Sequence, residues 1–309
     1  MQMNTKLSII TINRNNVAGL RKTIESVLSQ TYRDFEYIIV DGASTDESVE
    51  VIKASALQAE GLDFYWISEP DRGIYNAMNK GIEIALGKRV VDTFNRSERS
   101  EDNKNKILPD YIQILNSGDY LVDEHVVERI MPILDGTDII QGNNIEEINN
   151  KIYRNRGYGK SDIDMFDILK GYFLHQGSFC KRDLFDKYGY FDESYRISGD
   201  TKFFMDCLGI HDATFKYIDL DITNYDCNGV SAPQSGEWNK QGRSEYARIK
   251  GELFSRRMEE HFENNEKKVR LYNKLHQQKW IWGLVMFVSK LYDIIYGEYP
   301  FGVKREKIK

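Results

Sequence analysis

The first 70 residues alternate short apolar runs with segments of helical periodicity, and this alternation constrains the fold more than any other feature. The runs at 6–12, 35–40 and 64–67 are rich in β-branched and aromatic residues and too short for helices. Between them, apolar residues recur at helical spacing from 17 to 30, and a second helix is predicted to end near Ala59. Strands and helices at this spacing predict a doubly wound, mainly parallel α/β sheet with helices on both faces.

A further apolar run, at 112–115, ends in the polar turn Asn116-Ser117-Gly118-Asp119. It is predicted to be a buried strand, and ligands of open parallel sheets lie beyond the carboxyl ends of the strands. Asp119 is then suited to a diphosphate and its divalent cation, which prefers hard oxygen ligands. The alternative is a turn whose polar side chains only satisfy backbone groups.

Composition excludes several classes of function. The 309 residues are sufficient for a large core and for one to three domains. A net charge of -6 argues against nucleic-acid binding, which requires a basic surface. Cys180, Cys207 and Cys227 are scattered without a CxxC pair, which favours a reducing compartment over a zinc site or a disulfide framework.

The sequence also predicts a location. Strand-like sequence begins at Leu7, which leaves no space for a signal peptide. No uncharged apolar run reaches the ~18 residues of a membrane-spanning helix. We therefore expect a cytoplasmic protein.

The segment SEPDRGIYNAMNKG at 68–81 contains two cations that could bind phosphate. Pro70 ends the preceding strand, and Gly73 frees the backbone before a helix. Arg72 and Lys80 lie near the expected ligand-binding edge, where both suit phosphate oxygens. The alternative for each is ordinary solvated charge.

Three separated segments carry a resemblance to a known family. The segments VDGASTDESV (40–49), SEPDRGIYNAMNKG (68–81) and LNSGD (115–119) resemble, in order and spacing, those of family 2 glycosyltransferases with the GT-A fold. They most resemble the bacterial subgroup that builds surface polysaccharides of the colanic-acid or capsule type. The resemblance implies an inverting transferase that moves a sugar from a nucleotide-sugar to a saccharide or polyprenyl-linked saccharide acceptor.

The resemblance also implies the chemical roles of two carboxylates. Asp200 is the expected catalytic base, and Asp119 is the expected ligand of Mn²⁺ or Mg²⁺ beside the leaving diphosphate. Many relatives have two or three acids at 116–119, whereas only Asp119 is charged here, so diphosphate and water would complete the coordination. The alternative for Asp200 is a helix N-cap. His175 is expected to be a packing or acceptor-side residue outside the catalytic set.

The donor-binding residues follow from the same resemblance. Asp41 is expected to accept the ring N–H of uracil, with Thr11 and Asn13 beside it in the base pocket. A guanine edge also offers donors, so the preference for UDP over GDP comes from the family. The other candidates for ribose or diphosphate binding are Asp71, Arg72, Lys80, Asn116 and Ser117. Arg196 is hypothesised to be a cation near the phosphates, and the alternative for it is a structural role.

Three regions are predicted. Residues 1–125 form the nucleotide-sugar-binding half of the GT-A domain and 126–235 the acceptor-side half. Residues 236–309 form a C-terminal helical extension. Within the first half, 88–109 is predicted to be a surface insertion, because it is charge-dense and poor in apolar residues.

The extension ends in an apolar, aromatic segment with basic flanks, at 280–309. Such a segment favours peripheral contact with the inner face of a membrane. The alternatives are a helix packed on its own domain or on a second subunit of a homodimer.

Two other functions stay open from the sequence. A nucleotidyltransferase would share the diphosphate site, but it would have no use for Asp200 and would normally carry a glycine-rich, lysine-bearing first loop, which 13–16 lacks. A non-catalytic sugar-nucleotide-binding protein would not need Asp119 and Asp200.

Overall fold

The computed structural model describes residues 6–89, 91, 108–148, 151–227, 238–254 and 267. The chain divides into two compact units, Met1–Leu253 and Phe254–Lys309, and the fold below is that of the first. The predicted membrane or dimer segment at 280–309, and most of the predicted insertion at 88–109, lie outside the described residues. Within the described part, no helix is both long enough and apolar enough to cross a membrane.

The first half of the fold has the predicted alternation of strands and helices. Its elements are β1 (Leu7–Asn13), α1 (Val17–Leu28), β2 (Glu36–Asp41), α2 (Ser48–Gln58), β3 (Asp63–Ser68) and α3 (Ile74–Ala85). The three strands pair in parallel, with Asn13 opposite Asp41 and Asp41 opposite Ser68. The carboxyl ends of the strands therefore meet at one edge of the sheet.

The second half has shorter elements. They are β4 (Tyr111–Ile114), β5 (Tyr120–Leu121), α4 (Val126–Ile130), β6 (Ile139–Ile148), β7 (Lys151–Asn155), α5 (Met165–Ile168), β8 (Ser178–Lys181), α6 (Arg182–Tyr188), α7 (Gly199–Gly209), β9 (Phe215–Tyr225) and α8 (Arg243–Leu253). A short 3-10 turn, His175–Gly177, precedes β8. The predicted helical extension from 236 is described only as far as α8 and residues 254 and 267.

The described strands form one mixed sheet in the order β3-β2-β1-β4-β8-β6-β9-β5, with β7 paired to β6. The first four strands in this order are parallel. β8 is antiparallel to both β4 and β6, and β5 is antiparallel to β9. The predicted α/β class is confirmed, and the antiparallel pairings are confined to the second half of the sheet.

Both faces of the parallel half are covered by helices, as predicted. Every residue of β1 and β2 is buried. Ile9 and Ile39 belong to a core that includes residues from α1, α2 and α4. On the other face, Gly81 of α3 lies directly over Ile10, with Val40 beside it. Burial on both faces explains why these strands are continuous apolar runs.

The strand order reverses at β1, which is therefore the switch point of the sheet. The chain adds β2 and β3 on one side of β1 and then places β4 on the other side. Ligands of doubly wound sheets bind at such a point, in the crevice beyond the strand ends. The crevice here lies between the loop that starts at Asn13 and the turn that ends at Asp119.

The contact between Gly81 and Ile10 gives a stability prediction. In Gly81→Ala the new methyl group would overlap Cγ2 of Ile10 and lie 3.5 Å from Cγ2 of Val40. Overpacking of this kind costs about 1–3 kcal/mol, which outweighs the helix propensity gained. We expect a lower free energy of unfolding, measured by urea denaturation.

Gly251→Ala is the matched control, because Gly251 lies in α8 with open space around its Cα. There only the propensity acts, and a gain of up to about 1 kcal/mol is expected. Equal effects of the two substitutions would contradict the packing argument.

Candidate active site

A cavity of about 750 Å³ opens at the switch point of the sheet. Its described walls come from the loop after β1, the start of α3, the turn after β4, the turn before β8, the start of α7 and the end of β9. The predicted site residues that line it are Asn13, Asp71, Arg72, Asn116, Ser117, Asp119, Arg196 and Asp200.

Asp119 is buried at the edge of this cavity, just before β5. β5 runs antiparallel to β9, so the residue before β5 lies beside the residue that follows β9. The backbone N–H of Asp226 accordingly donates to Oδ1 of Asp119 at 2.8 Å. Burial raises the pKa of Asp119 to about 7, although this hydrogen bond acts in the opposite direction.

Asp226 is a second carboxylate on the same wall, and sequence reasoning missed it. Its Oδ2 lies 2.8 Å from the place where a Cβ on residue 118 would be, so Gly118 leaves room for this side chain. Asp119 and Asp226 are 107 residues apart, and no local motif links them. Within the described residues no group of three or more His, Cys, Asp or Glu side chains could hold a metal, and the candidate cation ligands on this wall are Asp119 and Asp226.

Asp200 lies in the first turn of α7, where both of its carboxylate oxygens are hydrogen-bonded. Nδ1 of His175 lies 2.9 Å from Oδ2. The backbone N–H of Thr201 and the hydroxyl of Tyr75 donate to Oδ1 at 2.8 and 3.1 Å. Burial raises the pKa of Asp200, but the hydrogen bond and electrostatic attraction of His175, together with the bonds from Thr201 and Tyr75, outweigh it and keep the pKa below its ordinary value. The carboxylate is therefore ionised at neutral pH.

His175 reaches Asp200 because of the direction of β8. Ile112 of β4 is opposite Cys180 of β8 in an antiparallel pair, so the turn before β8 lies beside the turn after β4. Nε2 of His175 lies 3.1 Å from Nδ2 of Asn116. The structure thus places a residue that was kept out of the catalytic set in contact with the expected base.

The wall segment 196–198 is held by a carboxylate that sequence reasoning also missed. Glu245 of α8 accepts the backbone N–H groups of Arg196, Ile197 and Ser198, each at 2.9 Å. The hydroxyl of Tyr75 donates to the carbonyl of Ile197 at 2.6 Å. One glutamate in a densely charged region gives no sequence signal, although it fixes the segment that leads into Asp200.

Asp41 does not line the cavity, contrary to the expected contact with a base. It is fully buried, and its carboxylate accepts hydrogen bonds from Asn13 Nδ2 at 2.8 Å, Ser44 N at 2.9 Å and Ser68 Oγ at 2.7 Å. These partners belong to the ends of β1 and β3 and the loop after β2. Asp41 therefore ties the three strand ends together.

Thr11 and Lys80 also point away from the cavity. The hydroxyl of Thr11 lies 3.0 Å from that of the buried Tyr37. Nζ of Lys80 lies 2.7 Å from both the carbonyl of Pro70 and Oε1 of Glu69. Thr11 is thus a core residue, and Lys80 stabilises the turn before α3.

Asp71 faces the cavity where Asp41 was expected. Its carboxylate lies over Gly42 and occupies the space that a Cβ on residue 42 would need. Oδ1 accepts the N–H of Gly73 at 3.0 Å and lies 3.6 Å from the Arg14 guanidinium. The Asp71 side chain is only 6% exposed.

Arg72 lies at the rim of the cavity and is already paired. Its guanidinium donates to Glu193 at 2.6 Å, and its side chain is 77% exposed. Glu193 also accepts from Asn76 and Asn79 of α3, at 3.0 and 3.2 Å. A phosphate at Arg72 would therefore compete with Glu193.

Comparison with known proteins identifies relatives of the chain. Residues 8–93 match the family model described as glycosyl transferase family 2. An uncharacterized glycosyltransferase of Mycobacterium tuberculosis (strain CDC 1551 / Oshkosh) is 30% identical over 203 residues, which are 64% of this chain and 67% of the relative.

Solved structures share the fold at low sequence identity. The TarS 1-349 fragment of S. aureus in complex with UDP-GlcNAc has a TM-score of 0.54 and 14% identity, over 72% of this chain and 58% of that one. A mannosyltransferase from Pyrobaculum calidifontis in complex with GDP-Man and Mn2+ has a TM-score of 0.51 and 14% identity, over 75% and 59%. The likeness confirms the predicted GT-A fold, although this chain spans less than two thirds of either solved chain.

The contacts of Glu245 give a second stability prediction. Glu245→Gln replaces one acceptor oxygen with an NH₂ group that faces backbone donors, so we expect a loss of about 2–3 kcal/mol in the free energy of unfolding. Burial raises the pKa of Glu245, but the backbone N–H groups outweigh it and leave a lowered pKa. The stabilisation is therefore complete above the ordinary carboxyl range, and the difference between the two proteins shrinks as the pH falls below it.

Glu252→Gln on the same helix is the control, since its carboxylate is partly exposed and is bonded by the side chains of Arg248 and Tyr195 rather than by backbone N–H groups. A loss below about 1 kcal/mol is expected there. A similar loss at both positions would contradict a special role for Glu245.

Proposed function

This chain belongs to glycosyltransferase family 2, and we propose that it transfers a sugar, with inversion, from a UDP-sugar to a saccharide or polyprenyl-linked saccharide acceptor. The observation that carries the proposal is the presence of Asp119 and Asp200 in one cavity at the switch point of the sheet. Asp119 lies in the turn before β5 and Asp200 in the first turn of α7, so the two carboxylates have different surroundings. A cation ligand and a catalytic base need such different surroundings.

The proposed reaction is a single displacement. A hydroxyl oxygen of the acceptor attacks the anomeric carbon while its proton passes to the Asp200 carboxylate. The bond from that carbon to the diphosphate oxygen breaks, and the nucleoside diphosphate leaves with the electron pair. The Asp200 carboxylate lines the cavity and is ionised at neutral pH, so it is in the form that can accept this proton.

The residues present also fit a divalent cation. Asp119 and Asp226 supply hard carboxylate oxygens, the ligands with which Mg²⁺ or Mn²⁺ is held together with substrate phosphates. When bound, the cation would neutralise charge on the leaving diphosphate. Asn116 and Ser117 line the same cavity and would contact the ribose or diphosphate.

We propose that Asp71, rather than Asp41, recognises the base. Its nearly buried carboxylate faces the cavity beside Asn13 and Arg14. Uracil presents an N3–H donor to such an acceptor, whereas cytosine presents a lone pair at N3. Arg14 could also stack on the base, since arginine stacks on aromatic faces.

The wider role stays a prediction from the sequence. We propose synthesis of a bacterial surface polysaccharide at the inner face of the membrane, where a polyprenyl-linked acceptor would be available. Residues 280–309 would supply the membrane contact or a homodimer contact.

The test is release of nucleoside diphosphate from a panel of UDP- and GDP-sugars with Mn²⁺, Mg²⁺ or EDTA. We expect metal-dependent release from a UDP-sugar and a loss of at least about 100-fold in Asp200→Asn. UDP binding by Asp200→Asn, measured calorimetrically, should remain. Asp119→Asn and Asp226→Asn should weaken Mn²⁺ binding in the presence of UDP, measured by electron paramagnetic resonance.

Asp63→Asn controls for the change of charge, because Asp63 is exposed at the opposite end of β3. Release that persists in Asp200→Asn would remove the proposed base. Absence of nucleotide binding by the unmodified protein would overturn the function.

Base recognition gives a separate prediction. The unmodified protein should bind UDP at least ~10-fold more tightly than CDP, because a carboxylate accepts from uracil N3–H and repels the lone pair of cytosine N3. In Asp71→Asn the amide can donate to cytosine N3, so the preference should fall. An unchanged ratio of UDP to CDP affinity, measured calorimetrically, would exclude Asp71 from base recognition.

A further inference from the structure

His175 contacts two residues of the proposed site, one with each ring nitrogen. Nδ1 lies 2.9 Å from Oδ2 of Asp200, and Nε2 lies 3.1 Å from Nδ2 of Asn116. The side chain is 14% exposed, so neither contact is a surface contact. We propose that His175 is a positioning residue, which holds the Asp200 carboxylate in one orientation and is itself fixed by Asn116. The inference rests on the proposed function, in which Asp200 is the base.

The contact with Asn116 fixes the position of the ring proton. With the Asn116 amide oriented as it is in the structure, Nδ2 donates to Nε2 of His175, and the ring proton then lies on Nδ1. That proton then points at Oδ2 of Asp200. The Nδ1–H group therefore donates to the carboxylate without taking part in the transfer.

The two oxygens of Asp200 have different partners. The oxygen Oδ1 is held by the N–H of Thr201 and the hydroxyl of Tyr75. Tyr75 also lies closer to the carbonyl of Ile197, at 2.6 Å, and has one proton to share. Oδ2, in contrast, is contacted by His175. Loss of this donor would let the carboxylate turn about its side-chain bonds, and small misplacements of a catalytic group have large effects on rate.

The sheet holds His175 in place. The carbonyl of the next residue, Gln176, accepts from Gln113 of β4 at 2.8 Å and from Thr223 of β9 at 3.0 Å. The turn that carries His175 is thus anchored to two strands of the sheet, whereas Asp200 belongs to a helix. The hydrogen bond between them fixes the helix terminus against the sheet.

The contact between His175 and Asp200 also predicts how the rate depends on pH. Asp200 is faced by His175 from the turn before β8 and by Tyr75 from α3. The other titratable side chains that line the cavity are Arg14, Asp71, Arg72, Asp119, Arg196, Tyr225 and Asp226. A hydrogen bond to an ionised carboxylate lowers its pKa, so removal of His175 raises the pKa of Asp200. A base acts only when it is deprotonated, so the acidic limb of the rate profile should move to higher pH.

The experiment compares two amides at position 175. In His175→Asn the amide nitrogen takes the place of Nδ1 and can still donate to Asp200. In His175→Gln it takes the place of Nε2 instead, and the donor to Asp200 is lost. Both proteins are assayed for kcat and its pH profile with the donor that the unmodified protein uses, and for binding of UDP with Mn²⁺. His211→Gln is the control for loss of an imidazole, since His211 stacks on Tyr188 and does not line the cavity.

The proposal expects a fall in kcat of about 10- to 100-fold in His175→Gln, with an acidic limb at higher pH and unchanged UDP binding. His175→Asn should stay within about threefold of the unmodified protein. A fully active His175→Gln with an unshifted limb would overturn the proposal. Equal loss in both variants would also overturn it, because the ring itself would then be required.

A second measurement separates this inference from the proposed function. A ¹⁵N-histidine spectrum, assigned by the signal that His175→Gln removes, should show Nδ1 protonated. The opposite tautomer would overturn the contact even in an active enzyme. If no donor is turned over by the unmodified protein, the proposed function fails, and the tautomer alone decides whether His175 holds Asp200.

Discussion

The reversal of strand direction in the second half of the sheet is the constraint on which the site depends. In a purely parallel sheet the residues before β8 would lie at the edge opposite the cavity. Because β8 is antiparallel to β4, the turn with His175 lies beside Asn116. The antiparallel pairing of β5 with β9 likewise places Asp119 beside Asp226. The parallel half of the sheet thus forms the crevice. The two antiparallel pairings bring His175, Asp119 and Asp226 to it.

Two aspartates that line one cavity, Asp119 and Asp200, have pKa values shifted in opposite directions. Asp119 is buried with few donors, and its pKa rises to about 7. The side chain of Asp200 is 19% exposed, and burial raises its pKa too, but His175 and the other donors to its oxygens leave the pKa lowered. Environments that push the pKa values of two carboxyl groups apart are typical of sites that assign them different tasks. Here the difference depends on hydrogen bonds from outside the local sequence, above all that from His175.

The sequence predicted the strands and helices that have a clear local periodicity. It did not predict the elements whose place depends on pairing with strands far away in the chain. The alternation up to α3 and the turn at Asn116 were predicted, whereas the four-residue β8 has no periodicity long enough to recognise. Asp41 has the right place at a strand end, but the prediction could not show that Asn13, Ser44 and Ser68 already occupy its oxygens. Partners such as Asp226 are 107 residues from their contacts.

The residues of the site fall into two groups along the chain, inside and beyond the segment that the family model matches. The segment matched by the family model, 8–93, contains Asn13, Asp71 and Arg72, which line the proposed donor side. Asp119 and Asp200 lie beyond it, and Asp200 is held by side chains from α3 and from the turn before β8. Glu245 and Tyr75 fix the wall that leads into it. The proposed recognition of the nucleobase therefore rests on one local unit, whereas the geometry of the proposed catalytic base rests on the assembly of the whole described unit.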